Sequence, residues 1–444
     1  MVISEKSPIN FQDKLPEAVD VVVIGAGIIG ISIAYFLGKQ GVSVLVCEKG
    51  RVAGEQSSRN WGWVRQQGRH SSELPIMKES LQIWKGLAAE IGEDLGFRQT
   101  GCLYLAETAA MQDENEQWLG MARKHQLDTR LLSAKETSAL LGQQFNNHWK
   151  GAIYTASDGR AEPSIAVPRL ARAVQRLDVK IIENCAVRSL DISAGKLKGV
   201  VTEKGRVRAR RVVSAAGVWS SLLAGHHNIS LPQLRVKGSV ARTPPVSGSY
   251  SGNAVSEKIA FRKRLDGGYS IALAEDTTHN IAPDSFRYFP KFLPLMRKSY
   301  KDVSLKLDKT FFADIGRRSS WEEDEITPFE RTRVLNPSPD PKLIDQMRRN
   351  LQKYMPELAK APFAETWARM IETSPDALPI ISEVKTIPGF HIVAGLSGHG
   401  FGIGPGIGRV VADLLIGRPT GHNLQRFELS RFSDGTAINL SNAA

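Results

Sequence analysis

The chain has 444 residues, 42% of them hydrophobic and 23% charged. At roughly 100–200 residues per domain this is material for about two to four domains with buried cores, and it excludes intrinsic disorder, collagen and disulfide scaffolds. Lys and Arg number 58 against 46 Asp and Glu, a net charge of +12, which admits nucleic acid, an anionic membrane surface or acidic small molecules as partners.

The elements run as follows. Up to Glu17 the chain is polar, without the apolar core of a signal peptide. Val21–Ile24, wholly apolar and largely β-branched, predicts a strand buried on both faces. Gly25-Ala26-Gly27-Ile28-Ile29-Gly30 leads into a helix over 31–40, and Val42–Cys47 is a second buried strand. The apolar run from Val21 to Leu37 is too short, and too rich in glycine, for the ~20 residues of a membrane span. Helices are predicted over 74–91 and 109–141, on either side of a strand at 100–106. A turn at 157–163 leads to a helix at 164–177, strands at 179–182 and 186–190, and a hairpin of 196–202 with 206–213. Ser214–Gly217 is a tight turn. From about Leu234 to Trp367, alternating segments such as 260–264 and 269–273 predict an antiparallel sheet, with helices at 286–300 and 341–355. A strand at 391–395, a helix at 404–416 and a frayed tail over 430–444 close the chain. Cys47, Cys102 and Cys185 show no CxxC spacing, which fits a reduced, cytoplasmic compartment and no zinc site.

The glycine fingerprint has a mechanical basis. Gly25 permits the turn, Gly27 lets a pyrophosphate approach the backbone, and Gly30 lets helix and strand pack closely. The pyrophosphate lies at the helix N-terminus near Ile28, where free N–H groups and the dipole favour anions. Glu48, 18 residues after Gly30 and followed by Lys49, ends the second strand, where a carboxylate accepts both ribose hydroxyls and repels the 2′-phosphate of NADP. Gly395-Leu396-Ser397-Gly398-His399-Gly400-Phe401-Gly402-Ile403-Gly404 packs five glycines before a second helix. A long ligand touching both chain ends favours FAD over NAD.

Val21–Glu48, Ser214–Trp219, Trp367–Ile381 and Gly395–Gly408 resemble the D-amino acid oxidase family of flavoenzymes, which includes glycine oxidase, monomeric sarcosine oxidase and the D-amino acid dehydrogenases. The resemblance covers nearly the whole chain in matching order. It implies an α/β architecture: a discontinuous Rossmann-like FAD-binding domain (15–95, 150–233 and 362–430), an α+β substrate domain on a mixed, largely antiparallel sheet (96–149 and 234–361), and a tail (431–444). The implied chemistry is hydride transfer from a C–H beside an amine nitrogen to flavin N5, then hydrolysis of the imine. Gly25, Gly27, Ile28, Gly30, Glu48 and Lys49 match the adenosine and diphosphate contacts. Ser57, Ser58, Arg59 and Asn60 match the loop that closes on diphosphate and flavin, Val187 the position facing adenine, and Gly217 and Trp219 the turn after the hairpin. Gly398, His399, Gly400, Phe401 and Gly402 match the flavin-carbonyl loop. Members with covalent flavin carry a His in the first loop or a Cys in the late strand; Arg59–Asn60 and Arg369 stand there, which implies non-covalent FAD. The carboxylate anchors of the glycine oxidase and sarcosine oxidase types are replaced by Ile371 and Gly402.

A substrate carboxylate calls for an Arg, whose planar fork makes bidentate contacts. Arg65, in Trp61-Gly62-Trp63-Val64-Arg65, is the first candidate, and Arg369, on the same strand face as Ile371, the second. Arg262, Arg264, Arg331 and Arg333 are weaker ones, and His399 is a candidate base. Arg206, Arg208 and Arg210 share one strand face without interleaved aromatics, which disfavours nucleic acid but leaves contact with an acidic lipid surface, and electron transfer to a quinone, open. His226-His227 lacks ligand spacing to other groups, so no metal is expected, and Glu322-Glu323-Asp324-Glu325 is expected to be a solvated loop. The expected activity is FAD-dependent oxidation of a D-amino acid or of a secondary or N-substituted amino acid. The alternatives are a 2-hydroxy-acid dehydrogenase on the same fold and a flavin subunit that works only within a hetero-oligomer.

Overall fold

The structure is a computed structural model that describes residues 2–142, 145, 148–246, 250–274, 276–300, 302–307, 311, 320–438 and 440. Its first sheet is built around the strand Ala18–Ile24, which lies parallel to Val44–Cys47 on one side and to Gly205–Ser214 on the other. Val22 stands in register with Leu45 and with Val212, and all three are buried. Wholly apolar strands at this position follow from helices or strands covering both faces. The late strand Phe390–Ala394 joins the same sheet, parallel to the end of Gly205–Ser214. Beginning, middle and end of the chain therefore meet in one α/β layer, as the resemblance implies.

The second sheet has ten strands among the described residues and is mixed. Its longest pairing runs Leu234–Arg242 antiparallel to Glu365–Thr373, with Gly238 opposite Arg369. At Gly238 a Cβ would come within 3.1 Å of Arg369 Nε, so the glycine leaves room for that side chain.

Four expectations change. The helix expected over 109–141 is two helices, Ala109–Lys124 and Ala134–Leu141, separated by the strand Thr129–Ser133, which pairs with Gly151–Thr155. Ser133 ends the strand and starts the second helix by a reciprocal cap: its N–H donates to Glu136 Oε2 at 2.8 Å and its Oγ accepts from the Glu136 N–H at 3.3 Å. The helix expected over 286–300 is Pro283–Arg287 followed by Phe289–Lys298. The last helix begins at Gly400 rather than Gly404. Its glycines hide its start from propensity, yet packing requires them: a Cβ at Gly404 would lie 2.7 Å from Ile28 Cγ1, and one at Gly408 2.3 Å from Ser32 Cβ. The tail is also tied down at its start. Arg431 and Phe432 are buried, and Arg431 pairs with Asp376; residues 439 and 441–444 of that expected tail lie outside the described residues. Among the described residues no helix is long and apolar enough to cross a membrane.

Candidate active site

One cleft runs between the first strand–helix turn and the last helix. At its start Gly25 has φ +102°, and a Cβ there would lie 2.6 Å from the Ala215 carbonyl oxygen. Gly30 is tighter still: its Cβ would fall 1.9 Å from the Gly25 oxygen. Gly27 faces Ser57, whose Oγ accepts from the Ile28 N–H at 2.9 Å. Glu48 lines the cleft and accepts from the N–H groups of Ala26 and Gly50, both at 2.8 Å, while burial pushes its carboxyl up to about 6. Val187, Gly217 (φ +54°) and Trp219 line the same space. Lys49 sits 4.3 Å over the Trp219 ring, pairs with Glu55 at 2.7 Å and donates to the carbonyls of Thr332 and Arg333. Glu55 also accepts from Trp219 Nε1 at 3.0 Å, so Lys49, Glu55 and Trp219 form one rigid wall.

The loop after Ser57 divides its residues. Ser58 accepts from the Ile3 N–H. Arg59, expected to touch the cofactor, is buried away from the cleft lining. Its guanidinium donates to Asn336 Oδ1 at 2.7 Å and to the carbonyls of Ile3, Gly54 and Ala368, pinning three distant segments together. Asn60 lines the cleft and also a second cavity of about 1040 Å³. Gly398 and Phe401 do the same, so the two spaces meet at this junction. There the 16-residue helix Gly400–Leu415 points its N-terminus, and no side chain caps it. Its free N–H groups and dipole favour negative charge. Gly402 packs under the Trp63 carbonyl, where a Cβ would come within 3.0 Å, and its own carbonyl accepts from Ser80 and Trp84.

Strand alternation sorts Glu365–Thr373 between the two spaces. Met370 and Glu372 line the cleft; Arg369, Ile371 and Thr373 line the larger cavity. Arg369 is 8% exposed, stacks 4.5 Å over Trp61, and has neither a hydrogen-bond nor an acidic partner among the described residues. Burial lowers its guanidinium to about 10, still cationic at neutral pH. Arg65 lines the same cavity, over the rings of Trp63 (5.9 Å) and Tyr104 (5.5 Å), and donates to the Gln67 carbonyl. His399 is present too. Burial and the nearby Arg69 lower it to about 4, against the pull of Glu73, whose Oε1 lies 3.1 Å from His399 Nδ1. A neutral imidazole held this way positions the loop more readily than it carries a proton.

Sequence reasoning missed Arg69, Glu73 and Glu372. Arg69 and Glu73 sit four and eight residues beyond Arg65, in the turns that lead to the helix Leu74–Ile91, and only their burial (3% and 0% exposed) marks them as more than surface charges. The weaker candidates are occupied elsewhere. Arg262 pairs with Glu162 at 2.6 Å, Arg264 with Asp266, and Arg333 with Glu203; Arg331 is exposed. Arg206 and Arg208 are exposed and pair with Asp191 and Glu17, and Glu323 also pairs with Arg206. His226 stacks on Trp321.

Glu372 allows a pH test. Burial raises its carboxyl from 4.5 to about 7. The folded state then holds a proton that the unfolded state releases, so this group's contribution to stability is full below about pH 4.5 and falls as pH rises to about 7. Urea midpoints across that window should decline less in Glu372→Gln than in the wild-type protein; equal slopes would refute the assignment.

The cleft fits FAD: the Glu48 carboxyl at one end, two helix N-termini facing inward, and glycines where a ligand needs backbone approach. At Gly217 a Cβ would meet nothing within 4 Å, and at Gly398 nothing closer than 3.8 Å. Comparison with known proteins agrees. Residues 20–414 match the family model DAO, FAD dependent oxidoreductase. The chain is 26% identical over 422 residues to 4-methylaminobutanoate oxidase (formaldehyde-forming) of Paenarthrobacter nicotinovorans, covering 95% of this chain and 46% of that protein. It is 25% identical over 435 residues to sarcosine oxidase subunit beta of an Arthrobacter species, covering 96% of this chain and 94% of the subunit. Its structure superposes on L-amino acid deaminase from Proteus myxofaciens, solved with anthranilate, with a TM-score of 0.93 and 32% identity over 98% of this chain and 100% of that one. The chain spans about half the length of the first curated relatives it matches.

Proposed function

This chain belongs to the DAO family of FAD-dependent oxidoreductases, and from that premise we propose that it oxidises the carbon–nitrogen bond beside the carboxylate of an amino acid or an N-substituted amino acid. The observation that carries this reading is Arg369: a buried, stacked cation, without a partner among the described residues, in a cavity that opens onto the flavin cleft. An isolated buried charge is costly unless a ligand compensates it, and a carboxylate is the ligand its fork fits. The likeness to an L-amino acid deaminase adds L-amino acids to the D-amino acids and secondary amines expected from sequence. FAD, the family's cofactor, supplies the two-electron acceptor when bound. Arg369 holds the substrate carboxylate, Trp61 fixes the guanidinium plane, and Trp63 closes the wall beside it. The free N–H groups at the start of Gly400–Leu415 stabilise negative charge at the junction of the two spaces. No side chain is asked to act as a strong base: a substrate bound as the neutral amine needs none, and burial keeps His399 neutral. Neither Arg59 nor Arg369 offers a nucleophile, which supports a non-covalent FAD.

The test is anaerobic bleaching. The purified yellow protein should lose its flavin absorbance near 450 nm (about the oxidised flavin band) on addition of one class in a panel of D-, L- and N-substituted amino acids. No bleaching across the panel sinks the reading. Likeness to 94% of a sarcosine oxidase subunit supports a second one, a flavin-bearing subunit of a larger complex; activity only after copurification with a partner would select it.

A further inference from the structure

The large cavity presents three guanidiniums, those of Arg369, Arg65 and Arg69. Arg369 and Trp61 lie 4.5 Å apart, centre to centroid; Trp61 and Trp63 are 5.4 Å apart; Arg65 lies 5.9 Å from Trp63. The contacts thus run guanidinium, indole, indole, guanidinium. Behind Arg65 stands a third cation. Arg69 is 3% exposed, donates to the Arg65 and His399 carbonyls, and leaves Nη1 buried with no partner among the described residues. Glu73 spends Oε1 on His399, and buried Asp158 accepts from the N–H groups of Gln66 and Gln67; their charges offset that of Arg69 in part, but neither hydrogen-bonds a guanidinium among the described residues. The acidic groups lining the cavity, Glu114, Glu257 and Asp302, are exposed or half-buried at its rim, and Glu257 pairs with Lys258.

Like charges repel, and burial strengthens the repulsion; burial and then Arg65 lower Arg69 to about 10, against the pull of Glu73 and Asp158. A solvated surface pair would move apart. These two are held in place by backbone carbonyls, with an unpartnered donor beside the cavity, which is how an anion site is built before its anion arrives.

Resting on the amino-acid reading above, we infer that the substrate carries two anionic groups, one held by Arg369 and the other by the Arg65–Arg69 pair, joined by a carbon skeleton that lies along Trp61 and Trp63. The class is a dicarboxylic amino acid or an amine bearing two carboxylated arms. Loss of two electrons and two hydrogens from the H–C–N–H unit, with FAD as the acceptor, gives an imine that water hydrolyses: a dicarboxylic amino acid then releases ammonia and leaves a keto acid with both carboxylates, and an amine bearing two carboxylated arms splits into an aldehyde acid and an amino acid that carries the second carboxylate.

The holoenzyme tests this through binding as well as turnover. Glutarate and butyrate, neither of which can be oxidised here, are titrated against the flavin absorbance spectrum. Glutarate should shift it at ~10-fold lower concentration than butyrate, the equivalent of one added charged contact. Arg65→Gln should remove that advantage by weakening glutarate selectively, whereas Arg369→Gln should weaken both. In turnover, glutamate- or iminodiacetate-like substrates should exceed their amides in kcat/KM by ~10-fold. Equal affinity for the two probes, equal weakening of both by Arg65→Gln, or amides that serve as well as acids would overturn the inference. Bleaching by neutral amino acids alone defeats this inference and leaves the broader reading standing; bleaching by no amino acid defeats the broader reading.

Discussion

Arg369→Gln is expected to lower kcat/KM by ~10²–10³-fold while leaving flavin content unchanged. The magnitude follows from removing one partner of a desolvated, charge-assisted pair, about 3–4 kcal/mol, at 1.36 kcal/mol per tenfold. Arg369→Lys keeps the charge but loses the fork and the flat stack on Trp61, so it should fall between the two. A second readout separates a binding role from a structural one. Among the described residues Arg369 has no acidic or hydrogen-bonding partner, so its desolvated charge destabilises the free protein. Removing it should leave Tm unchanged or raise it. A drop in Tm parallel to the loss of activity would show that Arg369 holds the sheet together instead.

Arg431→Ala should destabilise the fold by about 3–5 kcal/mol, because it strands a buried carboxylate. Arg431 Nε and Nη2 reach the two oxygens of Asp376 at 2.9 and 3.0 Å, with the side chains 4% and 2% exposed. Asp376 also accepts from the Leu378 N–H at 3.2 Å and from Ser374 Oγ at 3.3 Å, in the turn that follows the Arg369 strand. Pairing Arg431→Met with Asp376→Leu removes both charges and should recover most of the loss. Urea unfolding of the single and double variants measures it; a single variant within about 1 kcal/mol of wild type would mean water reaches the carboxylate.

The chain-end turns were legible because their requirements are local. Gly25 is demanded by its own positive φ and Gly30 by the Gly25 carbonyl five residues before it, and the buried strands around them advertise themselves by composition. The substrate side was legible only in part. Arg262 and Arg369 look alike in sequence, each an Arg within a strand of the same sheet. What separates them is Glu162, 100 residues from Arg262, which neutralises one while nothing described neutralises the other. Arg59 misled for the same reason: its neighbours in sequence are cofactor-facing, but its guanidinium is claimed by Ile3, Asn336 and Ala368. The strand at 129–133 was hidden because its residues suit a helix, and only pairing with Gly151–Thr155 decides otherwise.

The close packing of the first helix on the last has a consequence for biogenesis. Gly404 and Gly408 bring the helix Gly400–Leu415 against Ile28 and Ser32, and the cleft has Glu48 on one wall and Gly398–Phe401 on the other. The nucleotide-binding turn leaves the ribosome about 370 residues before the opposing wall does. Cofactor capture therefore waits for that wall and is coupled to docking of the helix Gly400–Leu415. Until then the growing chain exposes the apolar faces of Ile28, Ile31 and Ile403, the kind of surface that chaperones shield.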